Sequence, residues 1–138
     1  MRKLLFLALA ATVLAGCQTD SRRQALATSA SAVELRSYQS RAFDTLDRDL
    51  VLRNVIATLQ DLSFVVDNAN ATLGSVSATK LDGYALRMTV TLRPRGESQI
   101  LVRASAQYNL TPVEDPLPYQ QFFNALEQAM FLTAHEVD

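Results

Sequence analysis

Hydrophobic residues recur every three to four positions in two segments of the chain, which is the spacing of one face of an α-helix. The first segment extends from Asp47 to Leu62 and places six apolar residues on one side, namely Val51, Leu52, Val55, Ile56, Leu59 and Leu62. The second extends from Pro118 to Thr133 and has a largely aromatic stripe, namely Tyr119, Phe122, Phe123, Leu126, Met130 and Phe131. Each pattern predicts an amphipathic helix that packs one face against a hydrophobic core.

Two other segments alternate between apolar and polar residues, which predicts strands that are buried on one face only. The apolar positions of the first segment are Tyr84, Leu86, Met88, Val90 and Leu92, and those of the second are Ile100, Val102, Ala104, Ala106 and Tyr108. Pro94–Ser98 lies between the two segments and predicts a chain reversal, so the strands should form a hairpin. Asp82-Gly83, ahead of the first segment, predicts a second tight turn.

Three further segments predict strands less regularly. Glu34–Phe43 mixes apolar residues with arginines in two competing phases, and Phe64–Val66 is a short β-prone run that the turn formers Asp67–Ala71 should end. Extended structure can resume from Thr72 to Lys80, with Gly74 as a candidate bulge. Together the patterns predict an α+β domain in the approximate order β-α-β-β-β-α. Two amphipathic helices should cover one face of an antiparallel sheet of three to five strands.

The start of the chain follows the pattern of an export signal. Arg2 and Lys3 precede an apolar run from Leu4 to Ala15. This run is shorter than the roughly 20 apolar residues that span a bilayer, and no second hydrophobic segment follows it. We therefore expect export of the chain and no permanent transmembrane helix.

The residues Leu14-Ala15-Gly16-Cys17 resemble the lipobox of bacterial lipoproteins, in which Leu, a small residue and Gly or Ala precede an invariant Cys. The resemblance implies cleavage of a signal peptide at residues 1–16 and transfer of a diacylglycerol to the Cys17 sulfur. It also implies acylation of the new amino terminus by a fatty acid such as palmitate. Gln18, rather than Asp, follows Cys17, which in enteric-type lipoproteins favours the periplasmic face of the outer membrane. A plain secretory leader with an incidental cysteine is the alternative.

The remainder of the chain divides into a tether and one domain. Residues 17–33 consist of the lipidated cysteine and a segment rich in Ala, Ser and Thr, which we interpret as flexible. Residues 34–138 have a length that suits a single globular α+β domain. This part is broadly similar to small, uncharacterised bacterial outer-membrane lipoproteins and, more weakly, to accessory lipoproteins of outer-membrane assembly. No diagnostic motif supports this resemblance, so it implies only the fold class and a general role.

The charge balance argues against nucleic acid as the main partner. The full chain has 13 basic and 14 acidic residues, and loss of Arg2 and Lys3 with the signal peptide leaves 11 basic against 14 acidic residues. Binding to a phosphate backbone requires a clustered excess of Lys and Arg. We expect the membrane, through the lipid on Cys17, and a protein of the cell envelope as partners.

Residues suited to catalysis or metal binding do not form a recognisable motif. The single cysteine excludes an internal disulfide, and His135 lies near the terminus, where a solvated side chain is the expected role. The paired carboxylates Glu114-Asp115 are better suited to capping the last helix than to acid/base catalysis. No serine lies in a Gly-x-Ser-x-Gly motif. We therefore expect no metal site, no cofactor and no enzymatic activity.

The polar positions of the two alternating strands form a candidate binding surface. If these strands pair as predicted, seven residues share one solvated face, namely Arg87, Thr89, Thr91, Arg93, Arg103, Ser105 and Gln107. This face is locally basic, and arginine offers bidentate contacts to carboxylates or phosphates of a partner protein, peptidoglycan or lipid head group. An ordinary solvated face is the alternative interpretation.

These features favour a non-catalytic accessory or binding subunit of an envelope machine for export, efflux or outer-membrane assembly. A tether keeps such a subunit concentrated near its partner. The alternative is a periplasmic small-ligand-binding lipoprotein with a pocket between the sheet and the C-terminal helix, lined by Met88, Phe122 and Phe123. A preformed cavity at these side chains would favour ligand binding, whereas a closed core would favour docking.

Overall fold

A computed structural model describes residues 31–81 and 85–136, with side chains as far as Phe131. The chain divides into two compact units, Met1–Arg36 and Ser37–Asp138. Residues 31–38 are helical and are named α1 here. The predicted signal peptide, Cys17, most of the predicted tether and the predicted turn at Asp82-Gly83 lie outside the described residues.

The second unit is an α+β domain built on one antiparallel sheet. Its elements are β1 (Ser40–Phe43), α2 (Arg48–Asp61), β2 (Val65–Asn70), β3 (Ser75–Leu81), β4 (Ala85–Arg95), β5 (Gln99–Tyr108), β6 (Thr111–Pro112) and α3 (Leu117–Glu136). The strand order is β1-β5-β4-β3-β2, and β6 also pairs with β5. The predicted α+β class is confirmed. The sheet has six strands rather than three to five, and α1 adds a helix to the two predicted.

Local sequence explains where the two long helices begin. The Asp47 side chain accepts a hydrogen bond from the Leu50 N–H at 2.9 Å and so caps α2, in agreement with the predicted helix Asp47–Leu62. The Asp115 carboxylate accepts a hydrogen bond from the Leu117 N–H at 2.9 Å at the start of α3. Both caps satisfy N–H groups that have no partner within the helix.

The core lies between one face of the sheet and the two long helices. The inward side chains of β4 and β5 are buried as the alternation predicts, namely Met88, Val90, Leu92, Ile100, Val102, Ala104 and Ala106. The aromatic stripe of α3 is buried against them through Tyr119, Phe122, Phe123 and Leu126. Phe131 is an exception, because 64% of it is exposed. At 100° per residue it lies roughly 120° from the centre of that stripe, so its assignment to the core stripe was wrong.

The segment Glu34–Phe43 was predicted as a strand throughout, and this is wrong for its first part. Residues 31–38 are helical, and the strand begins at Ser40. Four of the eight helical residues are good helix formers, namely Ala32, Glu34, Leu35 and Arg36. The change occurs at Gln39, where the backbone carbonyl accepts a hydrogen bond from the Ala104 N–H at 2.8 Å and joins the chain to the edge of β5.

The turn formers Asp67–Ala71 do not end the strand that begins near Phe64. Strand β2 continues to Asn70, and its pairing with β3 shifts between Val66 and Asn68. These polar residues are tolerated because β2 is an edge strand whose side chains reach water. The bulge therefore lies in β2 and not at Gly74. Gly74 instead occupies the turn before β3 with a φ of +65°, a conformation that favours glycine.

The buried hydroxyl of Tyr119 supplies a hydrogen-bond partner to a backbone N–H on the edge of β5 that faces away from β4. The Ala104 N–H is bound by Gln39, and the Ala106 carbonyl accepts a hydrogen bond from the Val113 N–H at 2.9 Å. Between these two points the Ala106 N–H donates to the Tyr119 hydroxyl at 3.2 Å. The same hydroxyl donates to the Val113 carbonyl at 2.6 Å and accepts from the Gln39 amide at 3.3 Å. Tyr119 is fully buried, and its hydroxyl joins α3, β5 and the two flanking segments inside the domain.

We expect Tyr119→Phe to lower the free energy of unfolding by about 2–4 kcal/mol, because the buried Ala106 N–H and Val113 carbonyl each lose a partner. Urea unfolding followed by circular dichroism measures this change as a shift in midpoint at unchanged slope. A loss below about 0.5 kcal/mol would show that the hydroxyl is dispensable for these two groups.

One hydroxyl of α2 is buried without a hydrogen-bond partner among the described residues. It is Oγ1 of Thr58, a residue that is 1% exposed. A buried polar atom without a partner costs free energy. We therefore expect Thr58→Val, which keeps the shape of the side chain, to raise the free energy of unfolding by about 1 kcal/mol. A decrease in the same urea experiment would contradict this expectation.

Candidate docking surface on the open sheet face

Pairing between β4 and β5 brings the seven predicted residues onto one face. In this register Arg87 lies opposite Gln107, Thr89 opposite Ser105, and Thr91 opposite Arg103. Because side chains alternate between faces, all of them lie on the side of the sheet away from the helix-covered core. The predicted grouping of these residues is therefore present in the structure.

The same face contains residues that the sequence analysis missed. Leu101 lies opposite Arg93 and adds a half-buried apolar side chain to the surface. Strand β3 adds a row of hydroxyl groups through Ser75, Ser77 and Thr79, which pair with Thr91, Thr89 and Arg87. The Ser77 and Thr89 hydroxyls are 3.3 Å apart and share a hydrogen bond. The alternation Ser-Val-Ser-Ala-Thr in residues 75–79 was the signal for this row.

The three predicted arginines are free to bind an external group. Within the described part of the chain, Arg87, Arg93 and Arg103 form neither an ion pair nor a side-chain hydrogen bond. Strands β3, β4 and β5 contain no aspartate or glutamate. These three strands therefore give the open face an excess of basic side chains on a chain that is net acidic, while Asp67 of the edge strand β2 accepts a hydrogen bond from Thr79 at the margin of this face. A surface with excess positive charge attracts acidic partners.

Two adjoining shallow hollows follow this face. One has a volume of about 460 Å³ and is lined by Thr89, Thr91, Arg93, Leu101, Arg103 and Ser105. The other has a volume of about 190 Å³ and is lined by Arg87, Thr89, Ser105, Ala106, Gln107 and Pro112. They share Thr89 and Ser105, so we treat these ten residues as one surface and name it the arginine trough. Its shape suits an extended segment of a partner better than a small enclosed ligand.

A separate cavity lies between the sheet and the first turn of α3. Its volume is about 190 Å³, and its lining includes Phe64, Lys80, Tyr108 and Leu117. The Lys80 ammonium lies 5.9 Å from the centre of the Phe64 ring, which is within the range of a cation–π contact. We name this space the end cavity.

The pocket predicted at the aromatic stripe is not formed. Phe122 and Phe123 are fully buried, and Met88 is 1% exposed. The two phenylalanine rings meet edge to face, with centroids 5.0 Å apart. These three side chains fill a closed core and line neither the arginine trough nor the end cavity.

The described residues contain neither a cluster suited to a metal ion nor a helix suited to spanning a membrane. No group of three or more His, Cys, Asp or Glu residues in residues 31–81 and 85–136 is arranged to hold a metal ion. No helix in that part of the chain is both long and apolar enough to cross a membrane. The side chain of His135 is outside the described residues.

Comparison with known families supports the predicted lipid attachment site. Residues 1–18 match the family model described as the prokaryotic membrane lipoprotein lipid attachment site. This match covers the predicted lipobox and Cys17, and it supports a bacterial lipoprotein that is anchored to a membrane by lipid on that cysteine. A search of curated proteins found no match.

We expect Cys17→Ser to abolish lipidation, because the hydroxyl of serine cannot replace the thiolate nucleophile that accepts the diacylglycerol. Mass spectrometry of the protein from a bacterial host should then show an intact leader and no fatty acid, whereas the unchanged chain should begin at a lipidated Cys17. Fatty acid on the serine variant would contradict the assignment of Cys17.

Proposed function

We propose that this lipoprotein is a non-catalytic accessory subunit of an envelope machine, and that it binds a protein partner through the arginine trough. The observation that carries the proposal is the presence of three arginines that have no ion-pair or side-chain hydrogen-bond partner among the described residues, on strands β4 and β5, which with β3 contain no acidic residue. The machine is one for export, efflux or outer-membrane assembly, and the protein lies on the periplasmic face of the outer membrane, as Gln18 suggests.

The chemistry of the trough favours a partner segment that carries carboxylates. Arg93 and Arg103 belong to one hollow, and Arg87 belongs to the next. Each guanidinium can bind a carboxylate with two parallel hydrogen bonds. The threonine and serine hydroxyls between them both donate and accept hydrogen bonds, and Leu101 provides an apolar contact. An acidic segment that lies along β4 and β5 satisfies all of these groups.

The lipid anchor supports an accessory role. A single acyl chain binds a membrane only reversibly, whereas several chains anchor a protein stably. Residues 31–33 of the predicted tether belong to α1, and the thirteen residues from Gln18 to Ala30 would span about 20 Å if they behave as a flexible coil. A tether of this length confines the domain near one membrane face and raises its effective concentration toward a partner there.

The alternative, a small-ligand-binding lipoprotein, would use the end cavity, which lies between the sheet and α3 as that hypothesis requires. At about 190 Å³ this cavity is smaller than the roughly 300–1,000 Å³ typical of ligand pockets. The aromatic residues expected to line a pocket are buried in a closed core. These observations support docking rather than ligand binding as the proposed role.

We expect the triple variant Arg87→Glu, Arg93→Glu and Arg103→Glu to lose its partner while it keeps its thermal stability. Loss is expected because the reversed charges repel carboxylates, and stability is retained because these side chains form no ion pair or side-chain hydrogen bond with any described residue. The measurement uses a photo-crosslinker at Thr91 in intact cells, followed by mass spectrometry of the adduct. The melting temperature of each purified variant is measured by circular dichroism.

Matched variants separate the trough from general effects of charge. Arg53→Glu reverses a charge at an exposed position of α2 and should leave the adduct unchanged, whereas Arg103→Glu alone should reduce it. Arg103→Lys keeps the charge but cannot form the bidentate contact, so an intermediate yield is expected. An adduct retained by the triple variant would exclude the arginine trough as the docking surface.

A further inference from the structure

Exposed apolar side chains are concentrated at one end of the sheet. From Ser40 to Phe131, the exposed large hydrophobic residues of the described chain are Leu46, Val65, Leu73, Leu81, Leu110, Leu117 and Phe131. Four of these, Val65, Leu81, Leu110 and Leu117, lie at the same end, which we name the leucine end. Leu110 is 89% exposed and Leu81 is 82% exposed. A cluster of this kind marks an interaction site more often than scattered single residues do.

Backbone pairing shows that these four residues are neighbours. Val65 lies opposite Thr79, two residues before Leu81, and Leu81 lies opposite Ala85. The carbonyl of Ala85 accepts a hydrogen bond from the Asn109 N–H at 3.0 Å, which brings Leu110 near the start of β4. The end cavity opens at the same place, and its lining includes Lys80, Tyr108 and Leu117.

The chain that follows the lipid anchor enters the domain beside the middle of β5 and then runs along β5 away from the leucine end. In the antiparallel pairing of β1 with β5, Phe43 lies opposite Ile100 and Ser40 opposite Arg103, and Gln39 binds Ala104. Backward along the chain from Phe43 to Gln39, the contacts on β5 therefore move toward Tyr108 and the leucine end. Cys17 lies twenty residues before Ser37, a segment that spans at most about 65 Å.

We infer that the leucine end rests on the bilayer in which Cys17 is anchored, with Leu81, Leu110 and Leu117 inserted at the boundary between head groups and acyl chains. Anchoring holds a membrane surface close to this part of the domain, and the surface supplies an apolar environment for the exposed leucines. This inference rests on the lipid anchor and does not depend on the proposed partner.

The charges around the leucine end define the kind of lipid contact. Glu114 and Asp115 are exposed beside Leu117, and they oppose attraction to anionic head groups. Lys80 is partly buried and lies over the Phe64 ring. The contact is therefore an apolar one that forms on zwitterionic lipid and depends little on salt.

Site-directed labelling of the full-length lipidated protein tests this inference. Cys17 is the only cysteine of the chain and its thiol carries lipid, so an introduced cysteine is the single free thiol. Leu110→Cys and Leu81→Cys are labelled with an environment-sensitive fluorophore and reconstituted into phosphatidylcholine vesicles that contain nitroxide-labelled lipid. Leu73→Cys is the matched control, because Leu73 is 72% exposed and lies between β2 and β3 at the opposite end of the sheet.

We expect nitroxide lipid to quench the probes at positions 110 and 81 about threefold more than the probe at position 73, because only inserted residues reach the level of the lipid head groups. Raising the salt concentration should leave this difference in place. Equal quenching at all three positions, or stronger quenching at position 73, would overturn the inference.

A second set of variants tests whether the leucines cause the contact. In protein labelled at position 110, the double change Leu81→Ser and Leu117→Ser should reduce quenching about twofold or more, whereas Leu73→Ser should not change it. All of these positions are exposed, so the substitutions leave the core intact, and circular dichroism confirms folding. Quenching that persists in the double variant would show that the leucines do not hold the domain on the bilayer.

Discussion

The arrangement of the domain depends on the hydrogen-bonding groups along the outer edge of β5. Buried N–H and carbonyl groups must find partners, and two short strands, β1 and β6, supply most of them at this edge. Neither strand reaches the Ala106 N–H. The Tyr119 hydroxyl fills this position and also binds Val113 and Gln39. One side chain thus links the first strand, the central sheet and the last helix across 80 residues of sequence.

A second constraint is that both long helices cover the same face of the sheet. The inward residues of β4 and β5 are buried, and the opposite face meets water, so its polar residues need no internal partners. Arginines and hydroxyl groups can accumulate there without a loss of stability. The arginine trough is a consequence of this one-sided cover, and its basic character comes from the absence of acidic residues in β3, β4 and β5.

The lipid anchor relates the orientations of the leucine end and the arginine trough to the same membrane. In the orientation that we propose, the leucine end meets the bilayer, and the strands extend away from the membrane. The arginine trough runs along β4 and β5 and would therefore lie roughly perpendicular to the membrane surface, where a partner can reach it. Anchoring, orientation and docking then use three separate parts of the chain. The end cavity lies at the leucine end and is separate from the trough.

The sequence by itself determined the elements that depend on local spacing. The lipobox, helix α2 and the hairpin of β4 and β5 were predictable because each is encoded in neighbouring residues. All seven predicted surface residues belong to this hairpin, so they were predictable as well. Tertiary structure alone decided the rest. Polar residues 67–70 form a strand because β3 pairs with them at an edge, and the Ser75, Ser77 and Thr79 row joins the trough through the β3–β4 register. The roles of Tyr119 and the leucine end also required the fold, because they depend on contacts between residues far apart in the chain.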